Sequence, residues 1–238
     1  MDTGTFDYAH GDVTCEAFAA YDNTQDGKRP CVLVVHQWAG QSEAERGAAR
    51  RLAELGYVAI AIDVYGKGRR GDLAGDNTAL MQPFLEDRAL LRDRLIAAVT
   101  AAKAHPAVDP ERIAAMGYCF GGLCVLDMAR SGTPDIKGVA SIHGIFPPPN
   151  LERQGPITAK VLILHGWEDP LAPPPDVIGV AKELTDAGAD WQLHAYGHAR
   201  HAFTNKAADA PDQGMQYNEA AARRSWSAMT AFLAEVLA

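Results

Sequence analysis

The chain has 238 residues, 47% of them hydrophobic, a formal net charge of −8 and a pI near 5.4, which fits one α/β-sized domain over 1–238 with a sizeable core. Its cations are dispersed apart from the short run Lys67-Gly68-Arg69-Arg70, so neither a nucleic-acid nor an anionic-membrane partner is expected. No stretch approaches the ~18 apolar residues of a membrane span, Met1-Asp2-Thr3-Gly4 lacks the features of a secretory signal, and four cysteines without framework spacing suit a reducing, cytoplasmic setting.

In chain order, Thr3 to Tyr8 and Val13 to Tyr21 alternate as an antiparallel lead-in. Cys31 to His36 is a continuous apolar run, as a strand buried on both faces should be. Ser42 to Leu55 reads as a helix, with Ser42 as cap and Glu45 completing a capping box. Leu80 to Ala104 reads as one long amphipathic helix carrying Arg88 and Arg92, which either pair with Glu86 and Asp93 on the surface or reach a substrate. Arg112 to Met116 is a short buried strand, and Leu123 to Arg130 a helix. Lys160 to Gly166 and Trp191 to Tyr196 are further strands, and Gly214 to Leu237 a closing helix. The Pro-rich segments Phe146 to Asn150 and Leu171 to Asp176 read as loops on the carboxyl side of the sheet. The predicted fold class is α/β, with a mostly parallel central sheet flanked by helices on both faces.

Between the third of these helices and the strand before it lies Gly117-Tyr118-Cys119-Phe120-Gly121-Gly122. Glycines two positions either side of a central residue relieve crowding at a sharp strand-to-helix turn, and the residue on the turn is then exposed above the sheet. Cys119 occupies that place, so it is a candidate nucleophile. Such a nucleophile needs a base, and the base needs an orienting group. Asp169 follows the strand Lys160 to Gly166, with Glu168 and Asp176 as alternatives. The loop after Trp191 to Tyr196 carries two candidate bases, His198 and His201, while His165 sits in a strand as a structural histidine. The four histidines His165, His194, His198 and His201 lack the spacing of a metal site, so no metal and no cofactor are expected. The order cysteine, acid, histidine is that of the elbow fold.

These pieces resemble the dienelactone hydrolase family of α/β-hydrolases, as do Arg29 to Gly40, Gly56 to Asp63, Val108 to Ile113, His165 to Pro170 and His201 to Asn205. The resemblance implies a Cys119-His201-Asp169 triad, and favours His201 over His198 because the family's histidine precedes a small residue and Phe. It implies hydrolysis of a small-molecule ester or lactone through a thioester, in a monomer or small homo-oligomer. The expected oxyanion donors are the backbone N–H groups of Trp38 and Phe120.

Two positions depart from the family. A glutamate commonly follows the first core strand, and Gln37 stands there; an arginine commonly follows the histidine by four residues, and Asn205 stands there. Losing one half of a buried charge pair costs about 3–5 kcal/mol, so losing both together is coherent. Cys119 is then left to His201 for activation, and a substrate carboxylate lacks one cation, for which Arg88, Arg92 and Arg200 are the open substitutes. Gln37, Tyr118 and Asn205 are the expected substrate contacts. Trp38, Tyr65, Phe84, Phe120, Tyr118 and Phe203 are either pocket wall or core. Thiolate is itself a good leaving group, which favours activated esters, enol lactones and thioesters over amides. A broad carboxylesterase or thioesterase, and a non-catalytic redox-sensing or binding protein with a reactive Cys119, are the competing functions.

Overall fold

In the computed structural model, residues 1–24, 27–149, 151 and 156–238 are described; of the predicted loop Phe146 to Asn150, the last residue lies outside them. An eight-stranded sheet organises the chain. Its strands are β1 (Asp2–His10), β2 (Val13–Tyr21), β3 (Arg29–Val35), β4 (Val58–Ile62), β5 (Val108–Tyr118), β6 (Gly138–Ile142), β7 (Lys160–Gly166) and β8 (Trp191–Tyr196), arranged in the order β1-β2-β4-β3-β5-β6-β7-β8. β1 and β2 form an antiparallel hairpin, β2 runs antiparallel to β4, and every later pairing is parallel. This is the antiparallel lead-in followed by a parallel core that the hydrophobic pattern predicts.

The central parallel strands β3, β4 and β6 are mostly apolar because both faces are covered. On β3, Cys31, Leu33 and Val35 enter one core while Val32 and Val34 enter the other. The first core is closed by α3 (Arg88–Ala104), α4 (Phe120–Arg130) and α5 (Pro174–Asp186); the second by α1 (Glu43–Ala53) and α6 (Glu219–Val236). The α1 start follows the sequence signal: the Ser42 side chain accepts from the Ala44 amide, and the Glu45 carboxylate accepts from Ser42 N at 2.8 Å. Among the described residues no helix is long and apolar enough to cross a membrane.

Four expectations need correction. The long helix breaks at Asp87, giving α2 (Thr78–Glu86) and α3; Asp87 leaves helical geometry, and its side chain caps α3 by accepting from Leu90 N at 2.8 Å. Pro174 to Asp176 are the first turn of α5 rather than loop, since proline is well placed where the amide has no helical partner. The closing helix starts at Glu219, capped by Asn218, after the small ribbon β9 (Asp209–Ala210) and β10 (Met215–Gln216). The strand expected to end at Met116 continues to Tyr118, and the helix after it begins at once with Phe120.

Candidate active site

The turn between β5 and α4 contains a single residue, Cys119, with φ 54° and ψ −116°. Its amide donates to Ile142 O at 3.1 Å and its carbonyl accepts from Gly122 N at 2.9 Å, so the backbone is held on both sides. Glycine is required at Gly117 and Gly121: a Cβ on the first would lie 2.1 Å from Gly121 O, and one on the second 2.3 Å from Val35 O. The helix therefore presses directly against the strands, and the side chain on the turn is pushed outward.

Cys119 is one of four non-glycine residues with positive φ among the described residues; the others are His143, His198 and Ala202. All four lie in loops that follow β5, β6 and β8. Such conformations cost roughly 1–3 kcal/mol each and persist only where surroundings impose them, most often at functional sites.

His201 and Asp169 meet in the interior. His201 Nδ1 is 2.7 Å from Asp169 Oδ2, and the two residues are 2% and 1% exposed. Asp169 is fixed by Leu171 N, which donates to its other oxygen at 2.8 Å. The histidine loop is held by the ribbon: His201 N donates to Gly214 O at 2.9 Å, and Gln216 N to His201 O at 3.1 Å. Glu168 and His198 form their own pair on the surface, 2.8 Å apart, and Asp176 lies in the first turn of α5. Geometry thus couples Asp169 with His201 and separates the alternatives from them.

Burial works against a charged imidazole at His201, but the Cys119 sulfur and then the hydrogen bond to Asp169 outweigh it and push the group up to about 10. His201 Nε2 makes no hydrogen bond of regular geometry among the described residues, although the sulfur is close enough to act on the ring. Three other buried histidines are held the opposite way. Burial lowers His36 to about 4, with Gln37 O 2.7 Å from its Nδ1 and Val64 N donating to its Nε2 at 3.0 Å. His165 is lowered by burial, and His143 well below its ordinary value by burial and then by His201.

The Trp38 and Phe120 amides have no acceptor among the described residues, while Trp38 O accepts from Tyr65 Oη at 2.9 Å, which orients that loop. Tyr65, Phe84, Phe120 and Phe203 belong to the core, with Tyr65 stacked on Phe120 at 5.8 Å between ring centroids. Gln37, Tyr118 and Asn205 lie together along one cavity, on the α1–α6 side of the sheet. Of the three substitute cations, Arg88 is buried and holds Asp127 through two contacts of 2.7 Å, Arg92 pairs with Asp93, and Arg200 donates to Pro211 O. Sequence reasoning missed His143, which packs edge-on against His201 with ring centroids 5.2 Å apart. Its signal was available: it directly follows the apolar run Gly138 to Ile142, at a strand's carboxyl end.

Comparison with known proteins places this arrangement in context. The profile of the dienelactone hydrolase family matches residues 16–237. A crystal structure of a dienelactone hydrolase-like promiscuous phosphotriesterase from metagenomic libraries is 33% identical, with TM-score 0.93 over 100% of this chain and 99% of that one. A putative dienelactone hydrolase from Klebsiella pneumoniae is 26% identical, with TM-score 0.78 over 98% and 99%. A probable 2-oxo-3-(5-oxofuran-2-ylidene)propanoate lactonase from Bradyrhizobium is 28% identical over 84% of this chain and 82% of its own length.

Proposed function

This chain belongs to the dienelactone hydrolase family, hydrolases of ester and lactone bonds, and we propose that it cleaves small activated esters or lactones through a Cys119-His201-Asp169 triad. The observation that carries this reading is the buried Asp169–His201 pair, whose free nitrogen lies beside the sulfur of the residue on the strained turn.

In this mechanism the thiol proton passes to His201 and the sulfur attacks the substrate carbonyl carbon. The oxyanion is met by the amides of Trp38 and Phe120, each such donor being worth about 10²–10³ in rate. The carbon–oxygen bond to the leaving group breaks, His201 returns the proton to it, and a thioester on Cys119 remains. Neutral His201 then takes a proton from water, whose oxygen attacks the thioester; the carbon–sulfur bond breaks, the acid is released and His201 returns the proton to the sulfur. Asp169 holds the imidazole tautomer throughout.

With Arg88 engaged by Asp127, Arg92 by Asp93 and Arg200 by Pro211 O, the reading favours neutral esters over substrates that carry a carboxylate. A cytoplasmic setting, expected from the cysteine spacing, is part of the same reading.

The test is a rapid acid quench during turnover of p-nitrophenyl butyrate, followed by mass spectrometry. The expected product is a butyryl adduct on the Cys119 peptide that hydroxylamine removes, and turnover absent from Cys119→Ala. Full turnover in that variant, or acylation of another residue, would overturn the assignment. Comparing kcat/KM for cis-dienelactone with that for the neutral ester then tests the substrate preference.

A further inference from the structure

On the α1–α6 side of the sheet lies a cavity of about 720 Å³, a size typical of sites for drug-sized ligands. Neither Cys119 nor His201 lines it. His143 does, and the same ring packs against His201, so the cavity and the reaction centre share a wall.

Its inner surface is rich in unused donors. The Gln37 side-chain amide, Asn205 Nδ2 and the Tyr118 hydroxyl have no partner among the described residues. His143 is 1% exposed, its Nε2 lies 2.9 Å from Thr204 Oγ1, and its Nδ1 has no partner. Nδ1 is thus a buried polar atom of the ring left without a partner among the described residues, beside these donors. Half-buried donors without a protein acceptor are free to meet a ligand oxygen.

The mouth is cationic in a protein of net charge −8. Arg51, Lys206 and Arg223 line it without a carboxylate partner among the described residues. The Arg51 guanidinium lies 3.5 Å from the centroid of a Trp226 ring, which fixes its plane for a carboxylate. Two acids also line the mouth, but Glu43 is held by Arg50, and Glu219 sits in the first turn of α6, where the helix terminus offsets its charge. Trp226 and Tyr217 add flat apolar surface.

We infer that this cavity is a second binding site, for a small aromatic carboxylate with a polar group opposite the carboxylate, separate from the ester-cleaving centre. The carboxylate meets Arg51 and Arg223, the ring lies along Trp226, and the distal oxygen accepts from the inner donors. The inference does not rest on the triad, because binding is read without turnover.

The probe is 4-hydroxybenzoate, followed by isothermal titration calorimetry. Equal binding is expected to the wild type and Cys119→Ala, with affinity at least tenfold weaker in Arg51→Ala/Arg223→Ala. Both arginines are exposed, so circular dichroism should show a retained fold; Lys206→Ala, expected to weaken binding at least twofold, gives an independent readout. With p-nitrophenyl butyrate as substrate, the probe should alter kcat and leave KM unchanged. No binding heat up to millimolar probe, undiminished binding in both variants, or simple competition with the ester would overturn the inference.

Discussion

His201 Nδ1 and Asp169 Oδ2 are 2.7 Å apart with both side chains closed off from solvent. Close by in sequence, Glu168 and His198 make a contact of the same kind in the open. Only the buried pair can impose one tautomer, because water competes for the exposed one. Asp169→Asn should therefore lower kcat by about 10²–10⁴, while Glu168→Gln and His198→Ala should stay within about twofold of wild type. Steady-state kinetics on p-nitrophenyl butyrate checks all three, and comparable losses in His198→Ala would invert the assignment.

The contact between α4 and β3 leads to a contrast between two glycines. Gly121→Ala would place a Cβ against the backbone carbonyl of Val35, which has no flexible end to yield, and should destabilise by more than about 4 kcal/mol. Gly179, inside α5, has nothing within 4 Å of the corresponding point. Gly179→Ala should stabilise by about 0.5–1 kcal/mol. Urea denaturation followed by circular dichroism measures both.

Arg88 is a second case where stability and substrate binding diverge. Arg88→Ala leaves Asp127 buried, although Arg130 still reaches that carboxylate at 3.0 Å, so the loss should sit near the lower end of the usual range, about 3 kcal/mol. The ratio of kcat/KM for cis-dienelactone to that for a neutral ester should not change. A selective loss on the anionic substrate would return Arg88 to the binding site.

The buried neutral histidines set the acid limb of stability. His36, His143 and His165 all titrate lower in the folded chain than when exposed, so below pH ~6.5 the unfolded state binds more protons and stability falls as pH falls. Each contributes up to about 1.4 kcal/mol per pH unit. His201 is shifted upward; its contribution is complete below ~6.5 and is lost as pH rises toward 10, so it does not shape this limb. The Tm should fall between pH 6.5 and 5, above the main carboxylate range, and His36→Gln should flatten the slope. A wild-type Tm constant over that interval would contradict the account.

The parts legible in the sequence were those written in local pattern. Val32 to Val35 announce a strand buried on both faces, and Gly117 and Gly121 announce an elbow because only glycine fits where two backbones touch. The helix break at Asp87 was hidden because the apolar spacing continues through it. β6 is a run of only five residues, Gly138 to Ile142; its apolar pattern was there to be read, and His143 at its end went unseen with it. The role of Arg88 depends on Asp127, 39 positions away, and no periodicity encodes such a partner. Gln37, Tyr118 and Asn205 line a cavity that Cys119 does not line, and pattern did not announce this, because the face a residue takes at a strand's end depends on where that strand stops.

The strand order also bears on how this protein fails. β5, which presents Cys119, has neighbours on both sides, whereas β8, which leads into the histidine loop, is paired on one side only among the described residues. Fraying at that edge would detach the base while the nucleophile's strand remained anchored. Heat inactivation should then begin as a local, reversible opening, with β8 amides exchanging hydrogen before those of β5, and activity disappearing at temperatures where most of the sheet is still intact.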